Sequence, residues 1–189
     1  MTILLQIIAL YIVLLILIRK KYIWFLPSIP VYPNNERDAL LVKKAINTRT
    51  LGDVEFFKLT DPSISYAFVN IVHESIEELN SLITQPHLKF IILSLKYSIN
   101  RARPKQITPD LDVLTSTTAH TPAYPAGHAF QAYYLAHTLG KKYPDLQDKL
   151  DEIAEQCDST RVKAGLHYPS DGEFSKHLIK LFFNNINNP

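Results

Sequence analysis

RVKAGLHYPSD, Arg161 to Asp171, is the stretch on which the reading of this chain turns. Ahead of it, Leu146, Leu150, Ile153, Ala154 and Cys157 recur at the spacing of one buried helical stripe. Four residues on, the same stripe lands on Arg161, where an apolar side chain belongs. A guanidinium buried there without a partner is costly, so the fold must supply a carboxylate or a bound anion. Past the turn, His167 and Asp171 stand four residues apart with Pro169 between them. A carboxylate so placed can accept from one imidazole nitrogen, fix the tautomer and leave the other nitrogen free to attack. The alternative for this pair alone is a structural contact at a helix start.

Two other segments carry the same signature. In KYSINRARP, Lys96 and Arg103 are seven residues apart, two helical turns, and so share a face about 10 Å apart along the axis. Pro104 disfavours helix at Arg103 and frees its side chain to turn inward. In YPAGHAFQAYYLAHTLG, His128 opens a helix and shares a stripe with Ala132, Leu135 and Leu139. Unpaired backbone N–H groups and the positive dipole end make such a start a ready phosphate site. Each feature alone has a plain explanation, a solvated face for Lys96 and Arg103 or a hydrogen-bonded core histidine for His128. Their agreement favours convergence on one anion, with His128 as the proton donor to a leaving oxygen.

The 189 residues allow one membrane element and one domain with a substantial core. Helical periodicity runs through Arg37–Asn47, Pro62–Leu82, Pro86–Arg101, Gly127–Lys142, Pro144–Gly165 and Ser170–Asn185, with no strand alternation, so the expected class is an all-α bundle. A long connection fills Pro104–Tyr124, and connections of that length are often functional. The single cysteine, Cys157, excludes an internal disulfide framework, and its acidic flanks disfavour a thiolate.

TILLQIIALYIVLLILI, Thr2 to Ile18, is long enough for about 25 Å of helix, close to the hydrocarbon thickness of a bilayer. Arg19, Lys20 and Lys21 follow, then interfacial aromatics, and SIPVYPNN (Ser28–Asn35) reads as a proline-stiffened linker. No basic stretch precedes the apolar run and no small-residue cleavage site follows it, which favours a single-pass anchor over a signal peptide. The C-terminal basic flank places the globular part on the cytoplasmic side. The net charge of +2 resides in that flank, leaving no basic surface for nucleic acid.

KYSINRARP, YPAGH and RVKAGLHYPSD, in this order, resemble the three motifs of the type 2 phosphatidic acid phosphatase superfamily, which includes bacterial class A acid phosphatases and vanadium haloperoxidases. The family pattern of K-x6-RP, PSGH and SR-x5-H-x3-D is matched by Lys96-x6-Arg103-Pro104, Pro125-Ala126-Gly127-His128 and Thr160-Arg161-x5-His167-x3-Asp171. The resemblance covers about Phe90 to Asp171. It implies a helical bundle of the acid phosphatase/haloperoxidase type for the phosphatase domain over 36–189; the apolar run and its flanks set the anchor over 1–21 and the interfacial segment and linker over 22–35 ahead of it. The resemblance further implies metal-free phosphoryl transfer from a phosphorylated small molecule or a lipid phosphate. Lys96, Arg103, Arg161 and the Gly127 N–H would hold phosphate; His167, oriented by Asp171, would form a phosphohistidine; His128 would serve the leaving group and the water. No cofactor is implied, although vanadate fits such a site as an inhibitor or, in the haloperoxidase reading, as a prosthetic group. Ala126 stands where the family has serine, and Thr160 also replaces a serine. Membrane lipid phosphatases of the superfamily have several spans, whereas this sequence has one apolar run of that length.

Two further readings compete with hydrolysis. One is a vanadate-dependent haloperoxidase, the other a non-catalytic anchored scaffold that binds phosphate. A zinc site from His120, His128 and His137 is weaker, since their spacing matches no common ligand pattern.

Overall fold

The computed structural model describes residues 6–11, 13, 29 and 31–184. The described part is all-α, with no strand among those residues. Most of the expected anchor, the Arg19–Lys21 cluster, the interfacial aromatics and, from the linker, Ser28 and Pro30 lie outside it. Residues 6–11 and 13 are helical and exposed. Among the described residues, no helix is long and apolar enough to cross a membrane.

Capping side chains set the starts of three of the early helices. Helix α1 (Asn35–Asn47) begins where the Asn34 carboxamide accepts from the N–H groups of Glu36 and Arg37. Helix α2 (Leu51–Thr60) opens with a reciprocal capping box between Thr50 and Asp53. Pro62 follows its end, and one short turn, α3 (Ser65–Phe68), leads to α4 (Ile76–Ile83), capped by Ser75 and Glu78. The single helix expected over Pro62–Leu82 is therefore two helices, and α2 is an additional one. Thr50-x-x-Asp53 and Ser75-x-x-Glu78 are the local signals that decide these starts, and they override the apolar periodicity running across them.

Helix α5 (Pro86–Ile99) ends at Asn100, whose φ of 53° reverses the chain just before Arg101 and Arg103. The long connection begins with a single turn, α6 (Pro104–Ile107), and then runs irregularly to Ala126. It is tied down near its middle by the Leu114 N–H to the Ala164 carbonyl (3.0 Å) and near its end by the Ala123 N–H to the Arg101 carbonyl (2.9 Å). Helix α7 (Gly127–Lys142) has the expected bounds. Pro144–Leu146 forms a 3₁₀ turn ahead of α8 (Gln147–Lys163), α9 spans Pro169–Ile179, and a π-helical turn covers Lys180–Asn184.

Helix α7 is the centre of the bundle. It packs on α8 and α9, and Phe130, Leu135 and Leu139 meet Ile64, Phe68, Leu79 and Leu88 from the earlier helices and their connections. The α8 stripe is as the spacing predicts: Leu150, Ile153, Ala154, Cys157 and Arg161 are all buried. A second cluster of Ala39, Val42, Leu111, Ala123, Val162 and Tyr168 fastens α1 to the segment between α8 and α9. Those two clusters bracket the place where the three motif segments meet.

Candidate active site

Gly165 makes the turn that carries the chain from α8 to His167. Its φ of 76° is strained for any residue with a Cβ, and an added Cβ would lie 2.8 Å from Val113 Cγ2. Beyond it, His167 and Asp171 are both buried, at 2% and 0% exposure. Asp171 Oδ2 accepts from the Tyr168 N–H (2.9 Å) and lies 3.1 Å from His167 Nδ1. On the far side of the ring, Arg103 Nη1 is 3.1 Å from His167 Nε2. A guanidinium has no lone pair to offer, so Nε2 is the acceptor and Nδ1 carries the hydrogen donated to Asp171. Burial, together with Arg103, Lys96 and Arg161, drives the His167 pKa well below its ordinary value, so the ring is neutral. The result is a neutral imidazole with one nitrogen held by a carboxylate and a lone pair turned towards a cation.

The three expected phosphate cations converge around this ring but have unlike partners. Lys96, 3% exposed, donates to the Pro122 carbonyl (2.7 Å) and the Ala123 carbonyl (3.3 Å), leaving one of its three N–H donors uncommitted. Burial and the charge of Arg103 pull its pKa well down. Arg103 donates to the Thr121 and Leu166 carbonyls at 2.9 and 2.8 Å, and burial with the nearby Arg161 lowers its pKa to about 10. Arg161 has a carboxylate partner: its Nη1 lies 2.6 Å from Asp61 Oδ1, while its Nε is buried with no hydrogen-bond partner. Asp61 thus answers, in part, the charge that falls on the α8 stripe.

Asp61 is itself held by the long connection. Ser116 Oγ (2.6 Å), the Thr117 N–H (2.8 Å), Thr117 Oγ1 (3.0 Å) and Thr118 Oγ1 (3.1 Å) all donate to its carboxylate. Burial would raise its pKa, yet Ser116, Arg161 and the Thr117 N–H hold it well below the usual carboxylate range. The Asp61 backbone carbonyl lies 3.0 Å from His128 Nε2, which makes Nε2–H the donor and leaves Nδ1 as the free nitrogen. Burial, then Arg161, lowers the His128 pKa to about 3. An approaching phosphate dianion opposes both effects and favours the imidazolium.

Helix α7 starts at Gly127, and its N-cap, Ala126, provides no side-chain hydrogen bond to the first turn. The Ala126 N–H instead donates to the Asp171 carbonyl (3.1 Å), which fixes that turn beside the His167 segment. Beside it opens a cavity of about 490 Å³ lined by Lys96, Gly127 and His128 together with apolar Ile83, Leu88, Ile92 and Phe130. Thr118 and Thr121, which contact Arg161 and Arg103, also line it.

Two site residues lie outside the three motif positions singled out from sequence. Asp61 sits in a Thr-Asp-Pro stretch that nothing local distinguishes from an ordinary helix stop. Arg101, two residues before Arg103, is fully buried and bonds Asp171 Oδ1 at 2.6 Å. Arg101 and Arg161 thus meet carboxylates, Asp38 and Asp171 for the first and Asp61 for the second, while Lys96 and Arg103 have only carbonyl and imidazole partners. His120, by contrast, turns to the Thr117 carbonyl (2.6 Å), and among the described residues no group of three His, Cys, Asp or Glu could hold a metal ion. Compared with known proteins, the chain matches no protein-family model and no curated protein.

Proposed function

We propose that this protein is a metal-independent phosphatase, hydrolysing a phosphomonoester or pyrophosphate through a phosphohistidine on His167. The observation that carries this reading is the state of the His167 ring: Nδ1–H on Asp171, and the Nε2 lone pair facing Arg103. A lone pair held in place by a cation is available to phosphorus once a phosphoryl oxygen takes over that cation. The order of the three motifs and their resemblance to the type 2 phosphatidic acid phosphatase superfamily support the same chemistry and a bundle of that type.

Lys96, Arg103 and Arg161 gather the nonbridging oxygens, with the Gly127 N–H at the α7 start. His167 Nε2 attacks phosphorus, the N–P bond forms and the bond to the leaving oxygen breaks. His128, protonated at Nδ1 while Nε2–H stays on the Asp61 carbonyl, delivers its proton to that oxygen. Water then attacks phosphorus, His128 takes a proton back, the N–P bond breaks and phosphate departs. Asp171 stabilises the positive charge that develops on the His167 ring during both steps. The apolar run Thr2–Ile18 would hold this chemistry at a membrane, with the domain on the cytoplasmic side.

The full chain with a chromogenic phosphomonoester in excess chelator tests the reading. Turnover that persists in chelator, stops with orthovanadate and disappears in His167→Ala is expected, with acid-labile radiolabelled phosphate trapped on the wild-type protein. Undiminished turnover in His167→Ala would refute it, as would vanadate-dependent halide oxidation in the absence of any phosphoester hydrolysis.

A further inference from the structure

Arg101 and Arg161 are the bulkiest fully buried side chains among the described residues, and every N–H that Arg101 owns is engaged. Nε donates to Asn35 Oδ1 (2.9 Å), Nη1 to Ser170 Oγ (2.8 Å) and Asp171 Oδ1 (2.6 Å), and Nη2 to Asp38 Oδ2 (2.9 Å) and the Pro33 carbonyl (3.4 Å). The two faces of the guanidinium are covered as well, with Cζ 3.9 Å from the Tyr168 ring centre and 4.4 Å from that of Tyr32. Five donors matched by five acceptors leave nothing with which to bind a substrate. Arg101 therefore differs in kind from Arg103, whose Nη1 faces an imidazole lone pair, and from Arg161, whose Nε is unpartnered.

The carboxylate it grips is divided between two tasks. Oδ1 of Asp171 belongs to Arg101, while Oδ2 receives the Tyr168 N–H and His167 Nδ1–H. Burial raises the Asp171 pKa, and Arg101 opposes that shift most strongly. A buried ion-pair network of this size is rarely more stable than apolar side chains filling the same volume, which points to alignment as its use. The far anchors of the network also matter. Asn35 and Asp38 belong to the start of α1, and Tyr32 and Pro33 to the segment that precedes it, so the alignment of Asp171 is tied to the N-terminal part of the chain.

We infer that Arg101 is a positioning residue: it holds Asp171 Oδ1 so that Oδ2 remains on His167 Nδ1, and it fastens that geometry to Asp38 and the Tyr32–Asn35 segment. This deepens the phosphohistidine reading and rests on it for its kinetic consequence, but the geometric claim has its own readout. Without Arg101, Asp171 Oδ1 loses its cation and the carboxylate can rotate or take up a proton; the hydrogen of His167, kept on Nδ1 by Arg103 at Nε2, then loses its carboxylate acceptor.

The test uses the full chain carrying Arg101→Ala, Arg101→Lys or Asp38→Asn. ¹H–¹⁵N spectra of the imidazole N–H groups, with the His167 signal assigned by its loss in His167→Gln, report the Nδ1–H bond to Asp171 without any substrate. Wild type should show a far-downfield, slowly exchanging Nδ1–H on His167, and Arg101→Ala one that moves upfield and exchanges fast. In the ester assay kcat should fall about 10²-fold with KM nearly unchanged, as for loss of a group that orients a catalytic imidazole. Guanidinium ions in the assay should restore about tenfold in Arg101→Ala, where they can enter the vacated space, and nothing in Asp171→Asn. Should Arg101→Ala not fold, Arg101→Lys, which keeps charge and loses the fork, carries the same two readouts, and Asp38→Asn should shift the Nδ1–H signal to a lesser degree. An unchanged Nδ1–H signal in Arg101→Ala or Arg101→Lys overturns the inference, even where activity falls. An Nδ1–H signal that shifts in a protein with no phosphoester turnover at all would uphold the inference and refute the phosphatase reading.

Discussion

Asp61 Oδ1 lies 2.6 Å from Arg161 Nη1 although one hundred positions separate the two in the chain. The pair joins the end of α2 to the end of α8, and through the Asp61 carbonyl it also fixes His128. One contact thus sets both the charge available to an anion and the orientation of the proposed general acid.

Replacing the carboxylate with an amide separates those effects. In Asp61→Asn, Arg161 stays buried without a counter-charge, and the fold should lose about 3 kcal/mol, measured by denaturant unfolding. Orthovanadate, supplied to the same variant, should bind more tightly, because the freed guanidinium then answers to the ligand alone. Weaker vanadate inhibition would show that Asp61 shapes the anion site rather than competing with it.

Buried histidines make a distinct contribution to acid sensitivity. The folded-state pKa of His128 is about 3 against 6.5 in the unfolded chain, and that of His167 is also lowered. Between those values the unfolded state binds protons that the folded state refuses, so this contribution is fully present above about pH 6.5 and is lost progressively down to about pH 3. Each ring adds a slope of at most about 1.4 kcal/mol per pH unit. Asp158, whose pKa burial lifts to about 7, acts in the opposite sense, favouring the fold while protonated and losing that benefit as pH rises. The difference between wild type and His128→Asn isolates the histidine: unfolding free energies measured from neutral pH down to about pH 4 should converge as pH falls. Parallel curves would show that His128 does not titrate as its surroundings indicate.

Gly165→Ala forces a Cβ into a left-handed turn and against Val113. A loss of about 1–3 kcal/mol is expected from the backbone alone, read as a lower thermal midpoint. Activity should fall further than the remaining folded fraction accounts for, since the turn delivers His167 and Leu166, whose carbonyl receives Arg103.

Ala126→Ser supplies a hydroxyl at an N-cap that has no side-chain hydrogen bond of its own. A hydroxyl there that donates to a phosphate oxygen contributes about 1 kcal/mol, so KM for a phosphomonoester should drop about fivefold. An unchanged KM would indicate that the phosphate oxygens do not reach the first turn of α7.

Much of the site is legible in sequence because it obeys local periodicity. Arg161 continues the stripe of Leu150, Ile153, Ala154 and Cys157, and it is buried as those residues are. His128 opens α7 at the expected residue, and the four-residue step from His167 to Asp171 yields the Nδ1 contact. Helix starts were less legible from apolar spacing than from caps: Thr50 and Ser75, not the hydrophobic rhythm, decide where α2 and α4 begin.

What the chain order alone determined is which segments carry charge inward, because helical spacing converts a stripe of apolar residues into a direction. Which charges those cations meet was decided only by tertiary packing. Asp61 reaches Arg161 because the Ser116–Thr118 turn folds over it, and Arg101 reaches Asp171 because α1 brings Asp38 and Asn35 to the same buried point. Ion pairing in a core depends on distance through space, and no pattern of spacing along a polypeptide encodes a meeting of residues a hundred positions apart.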